Sequence, residues 1–289
     1  MYLAAMTVGL PLPLVVVGAG RLGLVMAEAI RDAGLDLLGV VTRSEAGRSR
    51  CVERGIPALD DARGAATAIL CVPDDAIAQA ASSLPFSVRF VVHTSGCAGL
   101  DLLDTHRDAA LASVHPLHSF TLADRGHALA GVPLAVTARD ERARALAFAL
   151  AHALGGHPFA LDEAVKPLYH AAATLAANGA VAVLDAAIAC ATAAGMHEPE
   201  ARAALTELAS TAVGQVQSLG ATDALTGPVA RGDAGTVRAH RAALASHLPV
   251  RLPVYDATAR AALAIARRRG LDDTLARAVD RSLAEPPTP

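Results

Sequence analysis

Three glycines fall in the spacing G-x-G-x-x-G, as Gly18, Gly20 and Gly23. In that spacing the first permits a tight turn, the second lets the backbone approach a pyrophosphate, and the third lets helix and strand pack closely. The β-branched run Leu14 to Val17 precedes the motif, and LVMAEAIRDAG, with helical spacing and a stop at Gly34, follows it. A helix N-terminus presents free N–H groups to phosphates, so Gly18, Ala19, Gly20, Arg21, Leu22 and Gly23 are expected to cradle a dinucleotide. The competing reading is a merely structural glycine turn. Roughly 20 residues on, an NAD-selective site places Asp or Glu against the ribose 2′-hydroxyl. This chain has Thr42, Arg43 and Ser44 there. A guanidinium pairs with the 2′-phosphate of NADP and hydroxyls donate to it, so NADP(H) is expected over NAD(H). The alternative is that Arg43 and Arg48 are solvated loop charges. Val72 and Pro73, in CVPDDAI, follow a strand and are expected on the nicotinamide side, unless the proline simply ends the strand.

A second constellation is polar. YHAAATLAANG, Tyr169 to Gly179, carries His170, Thr174 and Asn178 at intervals of four in an alanine-rich segment. Four residues advance an α-helix by about 400°, so the three share one face. Buried polar groups need partners, and one solution is bonding to backbone or a neighbouring helix. The sharper one is chemical: a histidine facing the cleft after a cofactor domain protonates the atom that gains charge as hydride arrives, and an amide orients the substrate. Ser95, in HTSG, and His118, in HPLHSF, stand at predicted strand ends, where open α/β sheets bind ligands. Ser95 is outside G-x-S-x-G, which argues against a hydrolase elbow. His115 and His118 have metal-like spacing, but no carboxylate or thiolate cluster accompanies them, so substrate contact or capping is expected and no metal. In LTGPVARGD, Asp233 reads as a helix cap, while Arg231 either clamps a substrate carboxylate or is a solvated charge.

These residues need elements to position them. LDLLGVVT, ATAILCVP, VRFVVHTSG, LASVHPL, VPLAVTA and HPFAL read as further strands separated by helical or irregular segments. The alternation implies an α/β fold: a Rossmann-type doubly wound parallel sheet, over residues 1–160, followed by an all-α C-terminal domain over 161–289. Helices are expected over 163–195, 198–219, 233–246 and 255–269, with a frayed proline-rich end. A net charge of -3, with 3% aromatic residues, gives no footprint for nucleic acid. Cys51, Cys71, Cys97 and Cys190 form no CxxC pair, which fits a reducing cytoplasm. Met1 to Gly20 has no charge but is broken by Pro11 and Pro13, so a loose extension and then a strand is expected, not a signal or membrane segment. Ala171 to Met196 has only Asp185 as a charge, and its alanine content points to a buried helix in a homodimer core.

The layout resembles the superfamily of 6-phosphogluconate and β-hydroxyacid dehydrogenases, ketopantoate reductase, prephenate dehydrogenase and pyrroline-5-carboxylate reductase. In β-hydroxyacid dehydrogenases the helix after the Rossmann domain carries Lys-x-x-x-Asn, with lysine as proton donor. Here the asparagine matches as Asn178, but the lysine position is Thr174. The resemblance makes His170, one turn earlier, the best replacement and Lys166 a more distant one. GAGRLG, HTSG, HPLHSF, YHAAATLAANG and LTGPVARGD together resemble, more closely, a bacterial family with a Rossmann-like domain and a C-terminal domain of unknown function, from Leu14 to about Arg269. That resemblance implies NADP-dependent oxidoreductases, some serving as an alternative ketopantoate reductase. The expected activity is NADPH-dependent reduction of a small 2-oxo acid or imine. In that expectation His170 donates or relays the proton, Asn178 and Ser95 orient the substrate, and His118, Thr174 and Arg231 contact it. The rivals are an NADP(H)-holding sensor without turnover and an oxidative, prephenate-dehydrogenase-like enzyme.

Overall fold

The computed structural model describes residues 9–287. The N-terminal extension expected from the sequence lies, over residues 1–8, outside the described residues. Contacts divide the chain into two compact units, which meet between Thr174 and Leu175.

The first unit runs β1 (Leu14–Val17), α1 (Arg21–Asp32), β2 (Leu37–Val41), α2 (Glu45–Glu53), β3 (Ala58–Leu59), β4 (Thr67–Leu70), α3 (Ile77–Ser82), β5 (Phe90–His93), β6 (Ala110–Pro116), β7 (Pro133–Ala138), α4 (Glu141–Ala153), β8 (His157–Ala160) and α5 (Lys166–Thr174). The eight-stranded sheet has the order β3-β2-β1-β4-β5-β6-β7-β8. Its central strands β1, β4 and β5 are buried along nearly their whole length, as strands covered on both faces are, whereas the edge strand β8 is mostly exposed. Leu14 and Val16 enter one core with α1 and α4, while Val15 enters the other with α3. The doubly wound fold stands as expected, with one departure: β7 runs antiparallel to β6, and β8 follows β7. A parallel return needs a packed crossover helix. Between β6 and β7 the chain has only a 3-10 turn, Gly126–Leu129, so the strand comes back reversed.

Register fixes where chemistry can sit. Leu70 pairs with His93 and His93 with Ser113, so β4 and β5 end level with Ser113, and β6 runs on past them to Pro116 at the carboxyl edge. Behind that edge a buried ion pair ties α1 to the loop after β6. Glu28 Oε2 accepts from Arg54 at 3.1 Å and from the Gly126 amide at 2.9 Å, and Arg54 also donates to the Leu122 and Asp124 carbonyls.

The second unit begins with a π turn, Leu175–Gly179, followed by α6 (Ala180–Ala193), α7 (Glu198–Leu219), the short α8 (Ala221–Ala224), α9 (Ala234–His247), α10 (Leu252–Arg268) and α11 (Asp273–Ala284). Val237, Ala259, Leu263, Ala276, Val279 and Leu283 form its core. Beyond the helices expected from the sequence the chain adds α11, whose Ala276, Val279 and Leu283 repeat at helical spacing and fill that core; the proline-rich end follows it and lies partly outside the described residues. The helix expected to be buried is exposed in the single chain: Glu163–Ala193 is long and apolar enough to cross a membrane, and 6% of its most apolar window is buried. In α6 only Ala186 is buried, and in α7 only Ala201.

Candidate functional site

A hollow of about 400 Å³ opens at the carboxyl ends of β1, β2 and β4. Its lining includes Gly18, Ala19, Gly20, Thr42, Arg43, Ser44, Val72 and Pro73, which the sequence singles out. Gly18 has φ +108, and a Cβ there would stand 2.4 Å from the Cys71 carbonyl oxygen. A Cβ on Gly23 would stand 1.9 Å from the Gly18 carbonyl oxygen, so α1 is held against the turn by the absence of a side chain. A Cβ on Gly20 would meet nothing within 4 Å. That empty approach beside the start of α1 fits the pyrophosphate of a dinucleotide. Arg21 and Leu22 form the first turn of α1 and are absent from the lining.

The three residues after β2 divide their labour. Thr42 is buried under Gly47, where a Cβ would come within 2.1 Å of its hydroxyl oxygen. Ser44 caps α2, its hydroxyl accepting from the Gly47 amide at 3.1 Å. Arg43 is exposed at the rim, free to reach a phosphate, whereas Arg48 pairs with Asp60. Sequence reasoning passed over Arg50, which lines the same hollow and donates to the Ala19 carbonyl at 3.1 Å. The recurrence of arginine at 43, 48 and 50 was its only signal. Cys71 also lines the hollow, but burial pushes its thiol up to about 12, so it offers no thiolate.

Beside Pro73 the edge turns polar. The Ser95 hydroxyl donates to Asp74 Oδ2 at 2.7 Å and accepts from the Cys97 and Ala98 amides at 3.1 and 2.9 Å. One donor and two lone pairs are all a serine has. Ser95 therefore organises the turn after β5, and its hydroxyl is not free to orient a substrate as the sequence suggested. His170 and His115 converge on the next residue: a Cβ on Gly96 would stand 2.7 Å from His170 Nδ1 and 2.8 Å from His115 Nε2. Their rings lie 5.8 Å apart, edge to face. His115 Nδ1 is 3.0 Å from the Tyr169 hydroxyl, and His170 Nδ1 is buried without a hydrogen-bond partner among the described residues. Burial first, then His170 and Lys166, push His115 down to about 4, so it is a neutral imidazole at pH 7. Burial and then Lys166 push His93, beneath it, to about 3.

Of the predicted polar residues, the structure thus brings together His170 and Ser95. It sets with them His115 and Lys166, which the sequence also named, and adds Asp74, Gly96 and Tyr169. His118 stays outside the cluster, exposed and packed on Phe120 at 4.7 Å between ring centres. Thr174 is exposed at the end of α5. Asn178 is exposed within the π turn, whose wider hydrogen-bond spacing departs from the 3.6 residues per turn that the stripe assumes. Arg231 is exposed in a 3-10 turn of the second unit, and Asp233 caps α9 through the Thr236 amide at 3.0 Å, as expected. Among the described residues no three His, Cys, Asp or Glu side chains converge to hold a metal ion.

A Rossmann-like domain model matches residues 8–116, and the model of a domain of unknown function, DUF2520, matches residues 132–262. This chain belongs to the family that joins these two domains. Solved structures share its fold. A protein from Bacteroides fragilis, provisionally described as an NADP oxidoreductase, superposes with TM-score 0.74 at 20% identity, over 89% of this chain and 99% of that one. A Thermotoga maritima protein gives 0.70 at 24% identity, over 89% and 99%. The 1-pyrroline-5-carboxylate reductase of Streptococcus pyogenes gives 0.60 at 15% identity, over 94% and 96%. No match is found among the curated proteins. The glycine turn and the HTSG turn both lie in the part of this DUF2520 protein that the Rossmann-like model covers, whereas His170 lies in the part that DUF2520 covers.

Proposed function

We propose that this DUF2520 protein is an NADP(H)-dependent oxidoreductase that moves hydride between NADPH and a small 2-oxo acid or imine, in the manner of ketopantoate reductase. One observation carries the reading: the glycine-lined hollow and the imidazole cluster adjoin through Pro73, Asp74 and Ser95. The pyrroline-carboxylate reductases among the structures of like fold support the reaction class. NADPH, when bound, supplies the hydride. Gly20 would admit its pyrophosphate, and Arg43 and Arg50 would offer guanidinium groups to its phosphates. As hydride reaches the carbonyl or imine carbon, the electron pair moves to oxygen or nitrogen, and His170 delivers the proton there. On the strength of the sequence, Asn178 and Arg231 are retained as substrate-orienting groups. The test follows NADPH absorbance with ketopantoate, other branched 2-oxo acids and cyclic imines, with NADH in parallel. Turnover with NADPH on one of them is expected. Tight NADPH binding with no turnover across the panel would instead favour the sensor reading, which rests on Thr174 standing where related dehydrogenases have lysine.

Cofactor preference gives a separate prediction. A charge-assisted hydrogen bond contributes about 1.5–3 kcal/mol, roughly a tenfold to hundredfold change in affinity. Arg43→Ala is therefore expected to weaken NADPH by that factor and leave NADH unchanged, as read by calorimetric titration. Equal weakening of both would remove Arg43 from the 2′-phosphate.

We also propose that the protein is a homodimer. Val181, Leu208, Val213 and Leu219 are 57–69% exposed on a hairpin, α6 and α7, that buries one residue per helix. Full burial of each such side chain stabilises by about 1.5–3 kcal/mol. A second copy suits this face better than a bilayer: α7 carries Glu198, Glu200, Arg202 and Glu207, and Asp185 on α6 pairs with Arg251 at 2.8 Å. Light scattering is expected to give twice the chain mass, and Leu208→Asp to give the monomer. A monomeric wild type at micromolar concentration would refute the dimer.

A further inference from the structure

Lys166 is 1% exposed, yet among the described residues no carboxylate approaches its ammonium within ion-pair distance. Its Nζ instead donates to the Ser95 carbonyl at 3.1 Å and the Ser113 hydroxyl at 2.7 Å, and that hydroxyl donates on to the same carbonyl at 3.0 Å. Burying a charge on neutral acceptors opposes folding, so the arrangement calls for a reason. Geometry supplies one. Ser95 follows β5, Ser113 lies in β6, and Lys166 opens α5, so a single ammonium ties three elements at the carboxyl edge. Four residues along the same helix face is His170, seated against Gly96, the residue after Ser95. The lysine itself has no opening through which to reach a substrate.

We propose that Lys166 is a positioning residue for His170: its buried ammonium clamps the start of α5 onto the Ser95 turn and so fixes the imidazole over Gly96. This rests on the reading of His170 as the proton donor, and it removes Lys166 from that role. The groups facing the ammonium are His93 of β5 and His115 of β6, Asp74 and Cys97 from the adjoining turns, and Glu163 from the approach to α5. Burial lowers Lys166 to about 8, which still leaves it charged at pH 7. Glu163, beyond ion-pair distance, accepts from the Leu100 amide at 2.5 Å.

Two variants test the clamp. Lys166→Met removes it; Ser113→Ala removes one of its acceptors and takes away no charge. With the intact protein, Lys166→Met is expected to lower kcat about 100-fold and Ser113→Ala about 3- to 10-fold, with KM and NADPH affinity within twofold. In Ser113→Ala the ring signals of His170, observed by NMR, are expected to shift, and this readout needs no substrate. Unmoved His170 signals in Ser113→Ala would overturn the clamp even if no substrate is found and even if Lys166→Met does not fold. Recovery of Lys166→Met activity by added ethylamine would also overturn it, because it would show that the amine transfers the proton directly. A silent substrate panel with shifted His170 signals would count against the reductase reading and support the clamp.

Discussion

His170→Ala is expected to lower kcat by about 100- to 10,000-fold, the usual contribution of a positioned general acid, while leaving NADPH affinity within twofold. The two effects separate because His170 is not among the residues that line the cofactor hollow, while its ring stands against Gly96 one residue beyond the Ser95 turn. Its Nδ1 is buried and unpartnered, so whatever proton traffic the ring carries leaves through its other nitrogen. His115 does not substitute for it. Its Nδ1 is engaged with Tyr169, and its depression to about 4 keeps the proton off at neutral pH. Steady-state kinetics and a binding titration on the same preparation read both quantities. An alanine variant that retains wild-type kcat would take His170 out of the chemistry.

Gly23→Ala is expected to damage the fold itself. The new methyl would stand 1.9 Å from the Gly18 carbonyl oxygen, and because that atom is backbone, relief requires α1 to move off β1. Overpacking of this kind destabilises by up to about 3 kcal/mol, which lowers Tm by roughly 6–12 °C for a domain of this size. Gly20→Ala is the control, since its methyl meets nothing within 4 Å. It should melt with the wild type yet bind NADPH poorly, because the methyl occupies the pyrophosphate's approach. Thermal melts and NADPH titrations on the pair check this. Equal stability of the two variants, or undiminished NADPH binding by Gly20→Ala, would contradict the assignment of the turn.

The cofactor half of the site was legible because its signals are local. Gly18 to Gly23 sits between a β-branched run and a helix, and Thr42 to Ser44 follows the next strand, so spacing along the chain stands in for spacing in three dimensions. The imidazole cluster was legible only in part. His170 was visible as a polar residue in an alanine-rich helix, but its neighbours arrive from elsewhere: Gly96 after β5, His115 from β6, Asp74 after β4. Nothing in one sequence records the register that sets Leu70, His93 and Ser113 side by side. Ser95 drew attention for its position, yet the turn it caps uses its whole hydroxyl. Lys166 read as a remote spare acid, and only the folded chain shows it buried against the Ser95 carbonyl and the Ser113 hydroxyl. The reversed β7 and the π turn at Leu175–Gly179 escaped for a related reason: composition reports that a strand or helix forms, and says less about its direction or pitch. The alanine-rich helix taught the opposite lesson. Its apolar character suggested a buried helix, but within one chain that surface stays open.

The most direct measurement of hydride chemistry at this site is label transfer. The protein would be incubated with NADPH carrying deuterium at C4, in separate reactions for the pro-R and pro-S positions, and with each 2-oxo acid or cyclic imine of the panel. Products would be weighed by mass spectrometry. One deuterium appearing in one product, from one of the two labelled positions only, is the predicted result. Unlabelled product, or no product from any member of the panel despite NADPH binding, would contradict it.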